Sequence, residues 1–310
     1  MTSSRYRGRF APSPTGPLHF GSLVAAAGSY LEARTRGGEW FVRMEDLDPP
    51  RVVPGTADDI LQTLRACGME WDGEVSRQSA RADAYHAALH RLREMKRVYP
   101  CACSRREIAD SAVAGIDGPV YPGTCRGGLP PEKPARALRA DTRGARIEFD
   151  DALQGRIAHD LELEFGDFVV YRMDDVYAYQ LAVVVDDAEQ GITDVVRGAD
   201  LLGSTPRQIY LQRLLGMPQP RYAHLPVAVN AAGEKLSKQT FAAPIDAAAP
   251  LPALVAALAF LGQQPPSALA RATVGEFWIW ALENWRLDRV PRLASVPANF
   301  SDSWVVGRRP

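Results

Sequence analysis

The order of apolar runs and turn residues in this 310-residue chain predicts an α/β fold. We expect a doubly wound parallel sheet carrying an insertion, followed by a short helical C-terminal region. Three observations lead there. The first 44 residues spell strand, tight turn, helix and strand. Between residues 98 and 167 that rhythm fails, and prolines, glycines and three of the four cysteines crowd together. From residue 168 the alternation resumes, and beyond residue 245 helical patterns take over.

Residues 5–11 read as the first strand, closed by the turn at Pro12 and Pro14. From Gly21 the pattern is helical: Leu23, Ala27, Tyr30, Leu31 and Arg34 fit a 3.6-residue period, and Gly37-Gly38 stops it. Glu39–Met44 is a second apolar strand, so the unit is βαβ and its strands are parallel. Two helices follow, one capped by Thr56 with Ile60, Leu61, Leu64 and Cys67 on its face, the other carrying Tyr85, Leu89 and Leu92. Residues 98–167 read as an insertion between the halves of the sheet. Phe168–Arg172 is a strand, followed by a turn at Asp174-Asp175. In Tyr177–Asp187 the run Val183-Val184-Val185 fits strand or buried helix equally. Thr193–Arg197 reads as a strand and Thr205–Leu215 as a helix capped by Thr205 with Pro206 at its first position. Tyr222–Val229 is another strand. Leu251–Leu261 and Thr273–Trp285 are helices, the latter with Trp278, Leu282 and Trp285 as a core stripe. The resulting organisation is 1–97, 98–167, 168–245 and 246–310.

Composition narrows the function. A formal net charge of −1, from 36 basic and 37 acidic side chains, excludes a protein that grips nucleic acid over its whole surface. One stretch departs from this balance. Arg126, Lys133, Arg136, Arg139, Arg143 and Arg146, against Glu132 and Asp141, form a basic strip that either contacts phosphates or is a solvated loop. No run approaches the roughly 18 consecutive apolar residues of a membrane span, and no apolar signal region opens the chain. The expectation is a cytoplasmic monomer without membrane contact, its four cysteines forming no disulfide framework.

Two remote segments carry chemistry. In Pro12-Ser13-Pro14-Thr15-Gly16-Pro17-Leu18-His19-Phe20-Gly21-Ser22 the prolines fix φ, and Gly21 lets a ligand approach the start of a helix. A phosphate there would meet unsatisfied N–H groups, the positive dipole end and the imidazole of His19. In Lys235-Leu236-Ser237-Lys238-Gln239, Lys238 can bring a compact charge to a triphosphate, with Lys235 and Ser237 in support. The flexible Ala231-Ala232-Gly233 precedes it, as a mobile phosphate clamp requires. Read without its partner, each segment is also compatible with an ordinary proline-rich connection or a solvated loop. Cys101-x-Cys103 and Cys125 offer three thiolates which, with one more donor, would make a tetrahedral zinc site; chance proximity of three reduced cysteines is the alternative. Cys67 reads as core.

Together the two segments resemble the HIGH and KMSKS signatures of class I aminoacyl-tRNA synthetases in their glutamyl form, with altered letters. Arg9–Ser13, Arg43–Pro49 and Val196–Asp200 add to the resemblance. It implies a Rossmann-type catalytic domain whose catalytic residues are His19, Gly21, Ser22, Lys235, Ser237 and Lys238. Arg9, Phe10, Ala11, Pro12, Ser13, Glu45, Tyr179 and Arg197 would then line a glutamate pocket. Glu45 can neutralise the α-ammonium, while Arg197 and the Tyr179 hydroxyl can meet the side-chain carboxylate. An ion pair of Arg197 with Asp194 or Asp200 is the competing reading. The resemblance also suggests Tyr121 as fourth zinc ligand beside Cys101, Cys103 and Cys125, with water as the alternative.

Residues 246–310 leave no room for the anticodon-binding domain of a full-length glutamyl-tRNA synthetase. This truncated plan, with Cys-x-Cys in the insertion, resembles the glutamyl-Q tRNA(Asp) synthetase family. What the resemblance implies is activation of L-glutamate by ATP with Mg2+, without need for tRNA. Transfer to the cyclopentenediol of queuosine at the wobble position of tRNA(Asp) would follow. The basic strip, with Arg286, Arg289 and Arg292, supplies candidate tRNA contacts. The rivals are a minimal glutamyl-tRNA synthetase charging the 3′ end, a non-catalytic tRNA-binding paralogue, and a nucleotidyltransferase sharing the first turn.

Overall fold

A computed structural model describes residues 5–129, 132–230, 233–235 and 243–298. The chain opens with β1 (Arg7–Phe10), α1 (Phe20–Thr35), β2 (Glu39–Met44), α2 (Thr56–Ala66), β3 (Ser76–Arg77) and α3 (Ala82–Glu94). Next come β4 (Val98–Cys101), α4 (Arg105–Ser111), the hairpin β5 (Val113–Gly115) and β6 (Gly118–Val120), and β7 (Ala137–Ala140). A second hairpin, β8 (Arg146–Asp151) and β9 (Gly155–Asp160), precedes α5 (Leu161–Glu164), β10 (Val169–Arg172) and β11 (Val176–Tyr177). The chain continues through α6 (Tyr179–Glu189), β12 (Asp194–Gly198), α7 (Ser204–Leu215), β13 (Arg221–Leu225) and β14 (Val227–Val229). Helices α8 (Leu251–Phe260) and α9 (Val274–Asn284) and strand β15 (Ser295–Pro297) close the described chain.

β1, β2 and β3 pair in parallel. β1 meets β12 where the Thr193 N–H donates to the Arg7 carbonyl at 3.0 Å. β12 pairs in parallel with β13, and β13 with β8. The two βαβ halves therefore lie side by side, and the cleft between them opens where strand order reverses. α1 is buried on nearly every side, because it sits between the sheet and α8 and α9. A side chain at Gly28 would meet Leu225 Cδ1 at 2.6 Å, so the Leu225 side chain of β13 seats directly on the backbone of the helix.

Several local expectations change. Val183, Val184 and Val185 are buried helix within α6. Thr56 is the first residue of α2 rather than its cap; Gly55, at φ 82°, holds the cap position. α7 likewise starts one residue before Thr205, after Gly203. The segment 98–167 does not fold as one piece. Its first part builds an antiparallel sheet, β11-β10-β7-β4, whereas the hairpin β8–β9 extends the catalytic sheet through β13. Residues 146–151 alternate exposed and buried, with Ile147, Phe149 and Asp151 inward, as a one-sided strand requires.

The C-terminal helices share the catalytic core. The Trp278 indole donates to the Cys67 carbonyl and the Trp285 indole to Glu32 Oε2, each at 2.7 Å, and both rings are buried. Leu282, the third member of the expected stripe, is exposed. Cys67 is core, as its spacing implies. Among the described residues no helix is long and apolar enough to cross a membrane.

Candidate active site

A cleft of about 920 Å³ opens at the carboxyl ends of β1, β2 and β12. It is lined by Arg9, Phe10, Ala11, Pro12 and Ser13 from β1 and its turn, and by His19, Gly21 and Ser22 at the start of α1. Glu45 beyond β2, Tyr179 at the head of α6, Arg197 in β12, and Lys235 complete the residues expected from sequence. Ser237 and Lys238 lie outside the described residues. The chain on both sides of them borders the cleft: Lys235 pairs with Val229, and Pro244 with His19. The Ile245 N–H donates to the Leu18 carbonyl at 2.9 Å.

The turn after β1 is fastened before the helix begins. Pro12 O accepts from Glu45 N at 3.0 Å and Pro14 O from Val53 N at 3.0 Å. His19 is the N-cap of α1, in extended backbone, and its Nδ1 accepts from the Ser22 N–H at 3.4 Å. The Ser22 hydroxyl stands 3.2 Å from its Nε2. The imidazole is thus held over a helix N-terminus that faces the cleft, an arrangement that favours anions.

Opposite charges are distributed along the cleft in a definite order. Arg9 and Arg43 are buried and share Asp187, at 3.1 and 2.8 Å. Burial would raise the Asp187 carboxyl, but the two guanidiniums outweigh it and hold it below the usual carboxylate range. Glu45 is the reverse case. Burial pushes its carboxyl up to about 7, with Arg43 and Arg9 only partly opposing. Its Oε1 has no hydrogen-bond partner among the described residues, and Arg43 Nη2 lies 3.6 Å away. A buried carboxylate oxygen left open in this way can accept from an ammonium donor.

Arg197 is 5% exposed. Its Nη2 donates to Thr205 Oγ1 and Gln208 Oε1, both at 2.8 Å, and its Nη1 to the Tyr179 hydroxyl at 3.3 Å. Nε donates to His224 Nε2 at 3.1 Å. The competing ion pairs do not form: Asp194 holds Arg221 at 2.7 Å, and Asp200 holds Lys235 at 2.6 Å. Among the described residues Arg197 therefore has no carboxylate partner. A buried guanidinium supported only by neutral acceptors can take a carboxylate from a ligand. Sequence reasoning missed Asp187, His224, Thr205 and Gln208. The available signal was an Asp186-Asp187 pair closing an apolar helical run, where two carboxylates need cationic partners.

The second constellation sits between β4 and β7. The sulfurs of Cys101, Cys103 and Cys125 all lie within 4.8 Å of one another. The Tyr121 hydroxyl is 3.4 Å from Cys101 Sγ and 3.7 Å from Cys103 Sγ, and accepts from the Cys125 N–H at 2.9 Å. Three thiols and a phenol converging on one point suit a tetrahedral thiophilic ion, so this cluster could hold zinc. Burial first, then the thiols, push the Tyr121 phenol above its ordinary range, so it would ligate as phenolate only under the ion's own charge.

The basic strip is largely neutralised. Arg126 is paired with Asp167 and Glu162 at 2.6 and 2.7 Å. Arg139 is buried over the Tyr121 ring, 4.1 Å from its centroid. Lys133, Arg143 and Arg146 are exposed but face Glu107, Asp141 and Asp160. Spacing alone hid these acids, which come from elsewhere in the fold or, for Asp141, from two residues away. Arg286, Arg289 and Arg292 are exposed.

A sequence profile described as "tRNA synthetases class I (E and Q), catalytic domain" matches residues 5–249. Glutamyl-Q tRNA(Asp) synthetase of Aromatoleum aromaticum is 61% identical over 96% of this chain and 94% of its own. The protein of that name from Dechloromonas aromatica is 63% identical over 94% and 97%. Among solved structures, the glutamate-tRNA synthetase of Elizabethkingia anophelis superimposes with a TM-score of 0.77 at 26% identity, covering 96% of this chain and 68% of that one. With the charge order of the cleft, these likenesses lead to one conclusion: the chain belongs to the class I glutamyl and glutaminyl tRNA synthetase family, and within it to the glutamyl-Q tRNA(Asp) synthetases.

Proposed function

We propose that the protein activates L-glutamate with ATP and then esterifies it onto the cyclopentenediol of queuosine in tRNA(Asp). The observation that carries this reading is the pairing, in one cleft, of a buried guanidinium and a buried carboxyl oxygen that, among the described residues, have respectively no carboxylate partner and no hydrogen-bond donor. Arg197 with Tyr179 takes the side-chain carboxylate, and Glu45 takes the α-ammonium. The α-carboxylate is then left facing the start of α1. There it attacks the α-phosphorus of ATP in line and pyrophosphate leaves, giving glutamyl-adenylate. His19, the helix N-terminus and Lys238 spread the charge that builds on the phosphate, with Gly21 giving close approach and Ser22 and Ser237 in support. A queuosine hydroxyl next attacks the mixed anhydride, releasing AMP and a proton. Magnesium accompanies the ATP.

Activation without tRNA is part of the proposal. It is supported by the way intrachain contacts alone fix Arg9, Arg43 and Arg197. Zinc on Cys101, Cys103 and Cys125, with Tyr121 as fourth donor, is the corresponding reading of the insertion. The group would be structural there, tying β4 to the loop that carries Cys125.

Glutamate-dependent ATP–pyrophosphate exchange with no RNA present tests the first step. Labelled glutamate offered with queuosine-containing and queuosine-lacking tRNA(Asp) tests the second. We expect exchange without RNA and label on the queuosine-containing tRNA alone. Exchange that needs RNA would remove tRNA-independent activation. Label at the 3′ end of either tRNA would favour a minimal glutamyl-tRNA synthetase.

A further inference from the structure

We propose that Asp151 and His224 form a positioning relay that aims the Arg197 guanidinium at its carboxylate ligand, and so help to set amino-acid specificity. This rests on the reading of Arg197 as the side-chain carboxylate receptor. Neither residue is among the described residues that line the cleft.

Proton bookkeeping fixes the direction of the relay. Arg197 has no lone pair to offer, so its Nε–H donates to His224 Nε2 at 3.1 Å, and Nε2 must be bare; the Thr205 hydroxyl, 3.0 Å from the same nitrogen, is then its second donor. The one proton of a neutral imidazole is then on Nδ1, which lies 2.5 Å from Asp151 Oδ2. The other oxygen of Asp151 accepts from the backbone N–H groups of Leu153, Gln154 and His224 at 3.0, 2.9 and 3.1 Å. That carboxylate cannot swing. The imidazole lies nearly parallel to the Tyr222 ring, which also supports the guanidinium of Arg197. Burial holds the His224 pKa below its ordinary value, and the Asp151 hydrogen bond opposes this only in part. Burial thus favours the neutral ring that its acceptor role requires.

The arrangement solves a specific difficulty. A carboxylate placed directly on Arg197 would orient the guanidinium but also occupy the groups the ligand needs. With a neutral imidazole between them, Asp151 fixes the geometry from one ring away. The positive charge of Arg197 stays available to the ligand.

The test is pyrophosphate exchange by the full chain, with glutamate and ATP varied separately. His224→Ala should raise the KM for glutamate about tenfold to a hundredfold, the range for losing a hydrogen bond to a charged group. The KM for ATP and the kcat at saturating glutamate should stay within about threefold. His224→Gln should recover most of the loss, since its amide oxygen can accept from Arg197 while its N–H donates to Asp151. If the alanine variant does not fold, His224→Leu, which keeps bulk without an acceptor, takes its place. Arg197→Ala separates the two levels. If it raises the glutamate KM and the His224 variants do not, the relay is wrong and the pocket stands. If Arg197→Ala changes nothing, the pocket reading itself fails. Loss of kcat with both KM values raised, unrescued by glutamine, would make His224 merely structural and overturn the relay.

Discussion

Replacing Glu45 by glutamine should make the protein more stable and a poorer enzyme at once. The side chain stays the same size, and only its ability to ionise is lost. In the folded chain the carboxyl titrates near 7 because it is buried; its ordinary value is 4.5. A group whose folded pKa is raised binds more protons folded than unfolded, so stability falls as pH climbs from about 4.5 to about 7. Above that window the penalty is fully present and is about 3 kcal/mol. Glu45→Gln removes it, so urea midpoints at pH 8 should rise, and at pH 4 the two proteins should match. The same ionisation governs binding, since only the carboxylate can take the α-ammonium. Between pH 8 and pH 6 the wild-type KM for glutamate should therefore increase about tenfold, while in the glutamine variant it should be high and flat. A variant no more stable than wild type at pH 8, or a glutamate KM that ignores pH in the wild type, would refute the reasoning.

Other consequences can be measured separately. Lys238→Ala should lower the exchange rate by about two orders of magnitude, the cost of one transition-state stabiliser; an unchanged rate removes this lysine from the phosphate clamp. Asp187→Ala takes from the buried Arg9 its carboxylate partner and leaves Arg43 only Glu45 and Asp186, each at 3.6 Å, and should cost about 3–5 kcal/mol in urea unfolding. A loss under about 1 kcal/mol would show that the neighbouring acids already suffice. Elemental analysis of protein prepared in metal-free buffer should find one zinc per chain, falling to none in Cys125→Ala. Zinc retained by that variant, or none in the wild type, retires the thiolate cluster as a metal centre.

Periodicity and turn chemistry carried much of the fold. Glu39–Met44 is a strand within the bounds its apolar pattern implied, and Leu251–Phe260 is a helix one residue shorter than expected. Cap positions were less legible. Gly55, in left-handed backbone, stands at the cap position of α2 with no side-chain cap, and the capping preference of Thr56 pointed one residue too late. Arg9, Glu45, Tyr179 and Arg197 were expected at the cleft only through the resemblance of their segments to the synthetase signatures; neither spacing nor periodicity singles them out. Their supporting partners were not legible: Asp187, His224 and Gln208 come from α6, β13 and α7, and only the folded chain brings them to Arg9 and Arg197. The alternation in residues 146–151 was readable, but the prolines and glycines upstream of it dominated the segment.

Hairpin β8–β9 makes this protein a poor candidate for cassette exchange. A chimera that swaps residues 98–167 wholesale would carry away Asp151 and strip β13 of its neighbour, leaving a raw sheet edge. Narrowing the swap brings a different injury, because Cys101 is the final residue of β4 and is paired across to Ala137. No pair of crossovers isolates the thiolate cluster from the sheets. Sequence drift in this stretch is therefore answerable to the catalytic cleft, however loop-like its composition looks.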